Sequence, residues 1–429
     1  MDPLRLSILQ KLEILTSQNL NTLRRGRFPP RRNCQPLLND LKAMPKIDHH
    51  IHLTCAISPK FLTSQPLQHE LKQELRKQQK KHAITRQEYL TQWSRDNHVG
   101  SLESFQAAVQ NAVNTILEQE NIVGFGLRLN PIKFLTSYDQ EGLESAVQKV
   151  FEAGANAILS SRAQEKNAQV SMVASFNRTK KYGIRDLSDQ EAVIFAMEKI
   201  HSLEQNGLLG GIDISGPEYT VREQSPRIWK NVLERVLNLG WKKGFLVTVH
   251  LGDPSNLEGE LKALNNNNSF KYLLEHYKYF SNFLDVISCL AINYPFYQFR
   301  IGHGYLLTPF DLLAPKNMQG NKLPKDLDEQ RCEILQKIVR NRIAMEVCPS
   351  VTARRSNWKT GRLEVKRYRN LPIFDWLTNE VKIVLGTDSL FTRTSATLSE
   401  NILRLMLACP KMAEKIMEII TINPTMPTY

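Results

Sequence analysis

His50 and His52 stand one residue apart in the stretch Lys46-Ile-Asp-His-His-Ile-His-Leu53. They alternate with β-branched Ile51 and apolar Leu53, which is a strand pattern, and a strand sends residues two apart to the same face. Two imidazoles emerging side by side from one strand are a ready pair of ligands for a metal such as zinc. The pair alone is weak ground, because an H-x-H also arises by coincidence on a surface or in a core. On the same alternation His49 falls on the opposite strand face from His50.

Other metal-competent groups close later apolar runs. Phe245 to His250 leads into His250-Leu-Gly-Asp253, Phe299 to His303 into His303-Gly304, and Lys382 to Leu385 into Thr387-Asp388-Ser389. One such residue at a strand end is usually a capping or hydrogen-bonding group. Four strand ends that all carry them are harder to dismiss. Three histidines and one carboxylate suit a catalytic Zn2+ that keeps one position open for water. A metal held this way lowers the pKa of its water towards ~7 and supplies hydroxide at neutral pH. The remaining histidines, His69, His82, His98, His201 and His276, sit in polar helical or loop stretches and are assigned no metal role.

The elements that would bring these ends together can be read along the chain. Candidate strands are Lys46–Leu53, Val123–Leu129, Val170–Phe176, Leu209–Ile214, Phe245–His250, Phe299–His303, Ile343–Val347 and Lys382–Leu385. Helical stretches separate most of them, among them Leu102–Glu118, Asp189–Glu204, Ile228–Asn238 and Arg331–Val339. Eight strands alternating with helices make an α/β chain with the arithmetic of a (β/α)8 TIM barrel, in which strand C-termini converge on one mouth. A doubly wound sheet would want a Gly-rich phosphate loop after an early strand, and none is present. Residues 1–40 read as an N-terminal helical arm with a basic linker, and 41–429 as the barrel, with helical insertions after the first strand. In the arm, Ile8, Leu12 and Leu15 share one helical face.

The 429 residues, 41% hydrophobic and 23% charged, are those of an ordinary globular protein with a full core. No apolar run approaches the ~18 residues of a membrane span, and Arg5, Lys11 and Glu13 break the N-terminal stretch that a signal peptide would need. Six cysteines without C-x-x-C spacing point to reduced thiols in a cytoplasmic setting. Part of the net charge of +13 sits in Arg24-Arg-Gly-Arg-Phe-Pro-Pro-Arg-Arg32 and part in Lys72 to Lys81. A solvated face explains such runs more simply than attraction to phosphates, and no nucleic-acid motif accompanies them.

Seven segments, taken in order, resemble the adenosine/AMP deaminase family of metal-dependent barrel hydrolases. They are Met44-Pro-Lys-Ile-Asp-His-His-Ile-His52, Leu127-Arg-Leu-Asn-Pro131, Gly211-Ile-Asp-Ile-Ser-Gly216, His250-Leu-Gly-Asp253, Arg300-Ile-Gly-His-Gly304, Glu346-Val-Cys-Pro349 and Gly386-Thr-Asp388. The resemblance implies that His50, His52, His250 and Asp388 ligate zinc. It implies that His303 orients the attacking water and shares its proton, and that Gly216 lets the backbone approach the substrate ring. In such enzymes hydroxide adds to the carbon that bears an exocyclic amine, and ammonia leaves.

The chain departs from the family where the substrate would sit. The glutamate that protonates the purine ring is replaced by Asp253, shorter by one methylene and roughly 1.5 Å of reach. A misplacement of ~1 Å costs on the order of 100-fold in rate. The second aspartate of the family's Thr-Asp-Asp is Ser389, which keeps a donor and an acceptor and loses the charge. Thr54-Cys55 stands where adenosine deaminases carry the Asp-Gly that grips the ribose. AMP deaminases also lack that aspartate, and Ile47-Asp48 and Lys60 are further points of likeness to the AMP type. Lys60, Arg178 and Lys180 are therefore candidate phosphate contacts. All four metal ligands are kept while two substrate-facing carboxylates change, a pattern that fits an altered substrate. The expected substrate is a purine nucleoside, an AMP-like nucleotide or a larger adenine conjugate. The alternatives are a metal- and nucleotide-binding barrel that has lost catalysis, and a hydrolase of a non-purine substrate.

Overall fold

The structure is a computed structural model that describes residues 3–58, 61, 102–131, 142–177, 187–215, 234–236, 238–240, 242–252, 274, 276–278, 280–285, 299–308, 325–355, 368–390 and 396–420. The insertions expected after the first strand, and most of the stretch Ile228–Asn238, lie outside these residues.

Eight parallel strands form one sheet in chain order: β1 (Lys46–His52), β2 (Ile122–Leu129), β3 (Gln169–Asn177), β4 (Leu209–Ser215), β5 (Leu246–Leu251), β6 (Phe299–His303), β7 (Ala344–Val347) and β8 (Lys382–Leu385). Each expected strand is found within two residues of its bounds. Parallel neighbours need crossover connections, and helices supply them. α1 (Pro3–Gln18), α2 (Leu20–Arg24) and α3 (Arg31–Ala43) precede β1, and α4 (Leu53–Ala56) follows it at once. α5 (Leu102–Gln119), α6 (Leu143–Leu159), α7 (Leu187–Lys199) and α8 (His201–Gln205) lie between the first four strands. α9 (Lys325–Arg340), α10 (Pro349–Arg355) and α11 (Ile373–Thr378) accompany the last strands, and α12 (Leu398–Ala408) and α13 (Ala413–Ile420) complete the described chain. The fold is a (β/α)8 barrel.

The sequence pattern explains the helices. In α5 the buried residues Phe105, Ala108, Val109, Ala112, Val113, Ile116 and Leu117 recur at three and four, one apolar face at the helical period. Burying each large member stabilises by about 1.5–3 kcal/mol relative to exposure. α12 starts with a capping box, in which Thr397 Oγ1 accepts from Glu400 N and the Glu400 side chain returns to Thr397 N. In α1 the buried residues are Ile8, Leu12 and Leu15, and the helix rests on α3, α12 and α13. α3 opens at Arg31, so the last two arginines of the basic run are helical.

Two features of the barrel matter for the site. Its interior carries charge: Arg128 of β2 touches Thr248 of β5, Glu346 of β7 and Asp213 of β4, contacts that cross the barrel. Its closure is thin. β8 meets β1 through a single parallel bridge, Ile51 with Asp388, and through two backbone bonds, Asp388 N to His50 O at 2.6 Å and His52 N to Asp388 O at 3.4 Å. Gly386 makes that approach feasible, because a Cβ there would lie 2.4 Å from His50 Cβ and 2.7 Å from His50 N.

Candidate metal centre and active site

Strand ends bring the predicted ligands together. His50 and His52 come from β1, His250 from β5, His303 from the end of β6, and Asp388 from just beyond β8. His50 Nε2 lies 3.2 Å from both His52 Nε2 and His250 Nε2. Asp388 Oδ1 is 3.7 Å from His50 Nε2 and 3.6 Å from His52 Nε2. The His303 ring packs on the same group, its centroid 5.0 Å from that of His50 and 4.9 Å from that of His250. Two triads, His50–His52–His250 and His50–His303–Asp388, each keep their ligand atoms within 4.8 Å of one another.

Backbone turns aim these groups. His303 and Asp388 adopt left-handed conformations, φ 69° and 59°, and Gly252, two residues past His250, does so at 64°. A non-glycine residue in this region costs roughly 1–3 kcal/mol and persists where its surroundings hold it. Here those residues are two of the candidate site residues.

Carboxylates behind the cluster fix the rings. His50 Nδ1 lies 2.8 Å from Glu346 Oε2, and His250 Nδ1 lies 2.9 Å from Asp213 Oδ1. Arg128 Nη2 donates to Glu346 Oε2 at 2.6 Å and Thr248 Oγ1 donates to Glu346 Oε1 at 3.2 Å, while Ser175 Oγ donates to Asp213 Oδ2 at 2.9 Å. With donors converging on both carboxylates, the two imidazoles also donate through Nδ1, and each Nε2 is left with a lone pair. Burial drives the His50 ring well below its ordinary pKa, and Arg128 adds to the effect. Burial takes His52 down to about 3 against the opposing pull of Asp388. Burial alone would raise Asp213, but His250 and Arg128 beside it hold its carboxyl well below the usual range.

The residues fit a metal ion. Two imidazole lone pairs facing each other at 3.2 Å repel, and a cation between them turns that repulsion into coordination. Tetrahedral zinc with nitrogens at about 2.0–2.1 Å sets its ligands about 3.3 Å apart. Neutral histidine with an outer carboxylate on Nδ1 is the usual form of such a ligand.

The expectation for His49 is corrected. The register of β1 against β2 slips between Asp48 and Ile51, so strict alternation fails there. His49 is buried, and its Nδ1 accepts from Arg300 Nη1 at 2.9 Å; the same Arg300 atom lies 3.5 Å from Glu346 Oε1. Two consecutive histidines thus meet one buried ionic network.

Among the other expected residues, Thr54 lies in α4 beside Cys55, whose carbonyl accepts from Leu390 N at 3.0 Å and so ties that turn to the segment that follows β8. Ser389 is buried, and its Oγ has no hydrogen-bond partner among the described residues. Asp253, Gly216 and Lys60, with Arg178 and Lys180, lie outside the described residues. Glu346, Asp213, Arg128 and Arg300 were given no role from the sequence. Their signal was a charge inside an otherwise apolar strand, which has to be paired when buried.

Three solved structures share the architecture. The N6-methyl-AMP deaminase from Arabidopsis thaliana is 15% identical, with 89% of this chain and 91% of that one covered and a TM-score of 0.52. A second structure of the Arabidopsis N6-mAMP deaminase gives 15% identity, coverages of 89% and 92%, and a TM-score of 0.53. Arabidopsis ADAL complexed with IMP gives 15%, 86% and 88%, and 0.51. The chain shares the fold of these deaminases. No protein-family model matches the sequence, and no curated protein does. Among the described residues no helix is long and apolar enough to cross a membrane.

Proposed function

We propose that the chain is a zinc-dependent aminohydrolase of an adenine-bearing nucleoside or nucleotide, AMP-like or larger, that releases ammonia. The observation that carries this reading is the meeting of the His50, His52 and His250 Nε2 atoms with Asp388 at the strand ends. The shared fold of deaminases that act on N6-methyl-AMP supports it. In this reading His50, His52, His250 and Asp388 hold the ion. When bound, the metal acidifies a water and so furnishes a nucleophile at neutral pH. His303 orients that water and shares its proton. Asp253 protonates the ring nitrogen beside the carbon that bears the amine. Gly216 leaves room for the ring, Ser389 offers it a neutral hydrogen bond, Thr54 stands at the ribose end, and Lys60 meets a phosphate. The buried hydroxyl of Ser389 supports its part, since such a group is normally satisfied.

The test is a panel of adenosine, AMP, N6-methyl-AMP, ADP, ATP and ADP-ribose, incubated with zinc-loaded protein and assayed for ammonia or methylamine. Release from at least one phosphorylated member is expected. Silence across the panel would sink the reading.

The changes at Asp253 and Ser389 favour one competing reading, a barrel that binds metal and nucleotide without turnover. It predicts that Asp253→Glu with Ser389→Asp gains adenosine or AMP deamination where the parent chain turns over no amine.

A further inference from the structure

We propose that Asp48 is a positioning residue that holds the β1 and β8 ligands in one frame; the inference rests on the metal reading above. The seam between these strands has one bridge and two backbone bonds where the other neighbours have ladders. β1 also slips against its other neighbour, β2, between Asp48 and Ile51. The Asp48 carboxylate adds side-chain bonds across the β1–β8 seam. Its Oδ1 accepts from His50 N at 3.2 Å and from Thr387 N at 3.1 Å, and its Oδ2 accepts from Thr387 Oγ1 at 2.6 Å.

Each of these bonds ends at or beside a ligand. His50 is one itself, and Thr387 precedes Asp388. One buried carboxylate therefore ties the backbone that carries two imidazoles to the backbone that carries the aspartate, across the one neighbouring strand pair among the described residues that lacks a ladder. A slide of β8 along β1 would change the 3.6 and 3.7 Å spacings from Asp388 Oδ1 to the two rings. Metal sites tolerate displacements of only about 0.5 Å.

The experiment compares Asp48→Asn, Asp48→Leu and Thr387→Val with the parent protein. Its readouts are Co2+ affinity by chelator competition and the visible absorption bands of the cobalt-loaded protein. Asparagine keeps an oxygen for both backbone amides and turns an N–H towards Thr387 Oγ1, so affinity and bands should match the parent. Leucine fills similar space without bonds, and its affinity should fall by about 10- to 100-fold with shifted bands. The inference is overturned if Asp48→Leu matches the parent in both readouts, or if Asp48→Asn loses as much as leucine. Should Asp48→Leu not fold, Thr387→Val decides: shifted bands support the role and unshifted bands reject it. A parent protein that takes up no Co2+ brings down the metal reading and this inference with it. A parent that binds Co2+ without releasing ammonia leaves the role of Asp48 standing.

Discussion

The Oε2 atom of Glu346 lies 2.8 Å from His50 Nδ1, and this one contact decides which nitrogen of the ring faces the other histidines. Arg128 holds the same oxygen at 2.6 Å, so the carboxylate orients the imidazole while the guanidinium orients the carboxylate. Glu346→Gln replaces an obligate acceptor with a group that also donates. We expect metal affinity to drop by about 10- to 100-fold, read by competition with a chelator. Arg128→Met should be worse for the fold than for the metal. It leaves the Glu346 charge buried with a partner lost, and denaturant unfolding should show a loss of about 3–5 kcal/mol.

Gly386→Ala tests the closure of the barrel. The added methyl would fall 2.4 Å from His50 Cβ and against the His50 backbone. Strand β1 cannot yield without moving its ligands. Overpacking of this kind costs about 1–3 kcal/mol, and the variant should lose both melting temperature and metal. A variant that keeps both would show that the seam is softer than its spacing indicates.

Metal removal should destabilise the protein in a concentration-dependent way. At free zinc about 100 times the dissociation constant, binding contributes about 2.7 kcal/mol to the folded state. Thermal melts should rise with free zinc and fall on addition of chelator. Superimposable melts would count against an ion at this cluster.

A pH effect should come from the other end of β1. The Lys46 ammonium is buried and donates to Leu41 O at 2.6 Å and Met44 O at 2.7 Å. Burial takes its pKa down to about 8 from 10.5, against the opposing effect of Glu120. Between those values the unfolded chain carries a proton that the folded chain has released, so stability rises with pH across that window. Lys46→Met lacks this contribution. The stability of the parent relative to Lys46→Met, measured by denaturant unfolding, should increase from about pH 8 to 10.5.

The eight strands were legible because each is a short β-branched run set between helical stretches, and a parallel sheet buried on both faces leaves little else for such runs to do. The convergence of strand ends followed from that arithmetic. The face of His49 was misread because alternation assumes an unbroken register, and β1 slips between Asp48 and Ile51. A slip depends on what the neighbouring strand offers, which local sequence does not carry. Glu346 and Asp213 were visible as charges in apolar strands, but their pairing with His50 and His250 spans 296 and 37 positions. The pairing of β4 with β5 makes Asp213 and His250 neighbours, and the closure of the barrel does so for His50 and Glu346.

The packing of α1 sets a constraint in time. Its buried face, Ile8, Leu12 and Leu15, rests partly on α12 and α13, and Arg5 Nη2 donates to Glu414 O across 409 positions. At ~5–20 residues per second a ribosome needs roughly 20 to 80 s to make the intervening chain. Throughout that interval the first helix carries an apolar stripe whose final cover does not yet exist. The packing of α1 is thus completed only once α13 has been made, and termination before residue 398 would leave the part of its apolar face that rests on α12 and α13 uncovered.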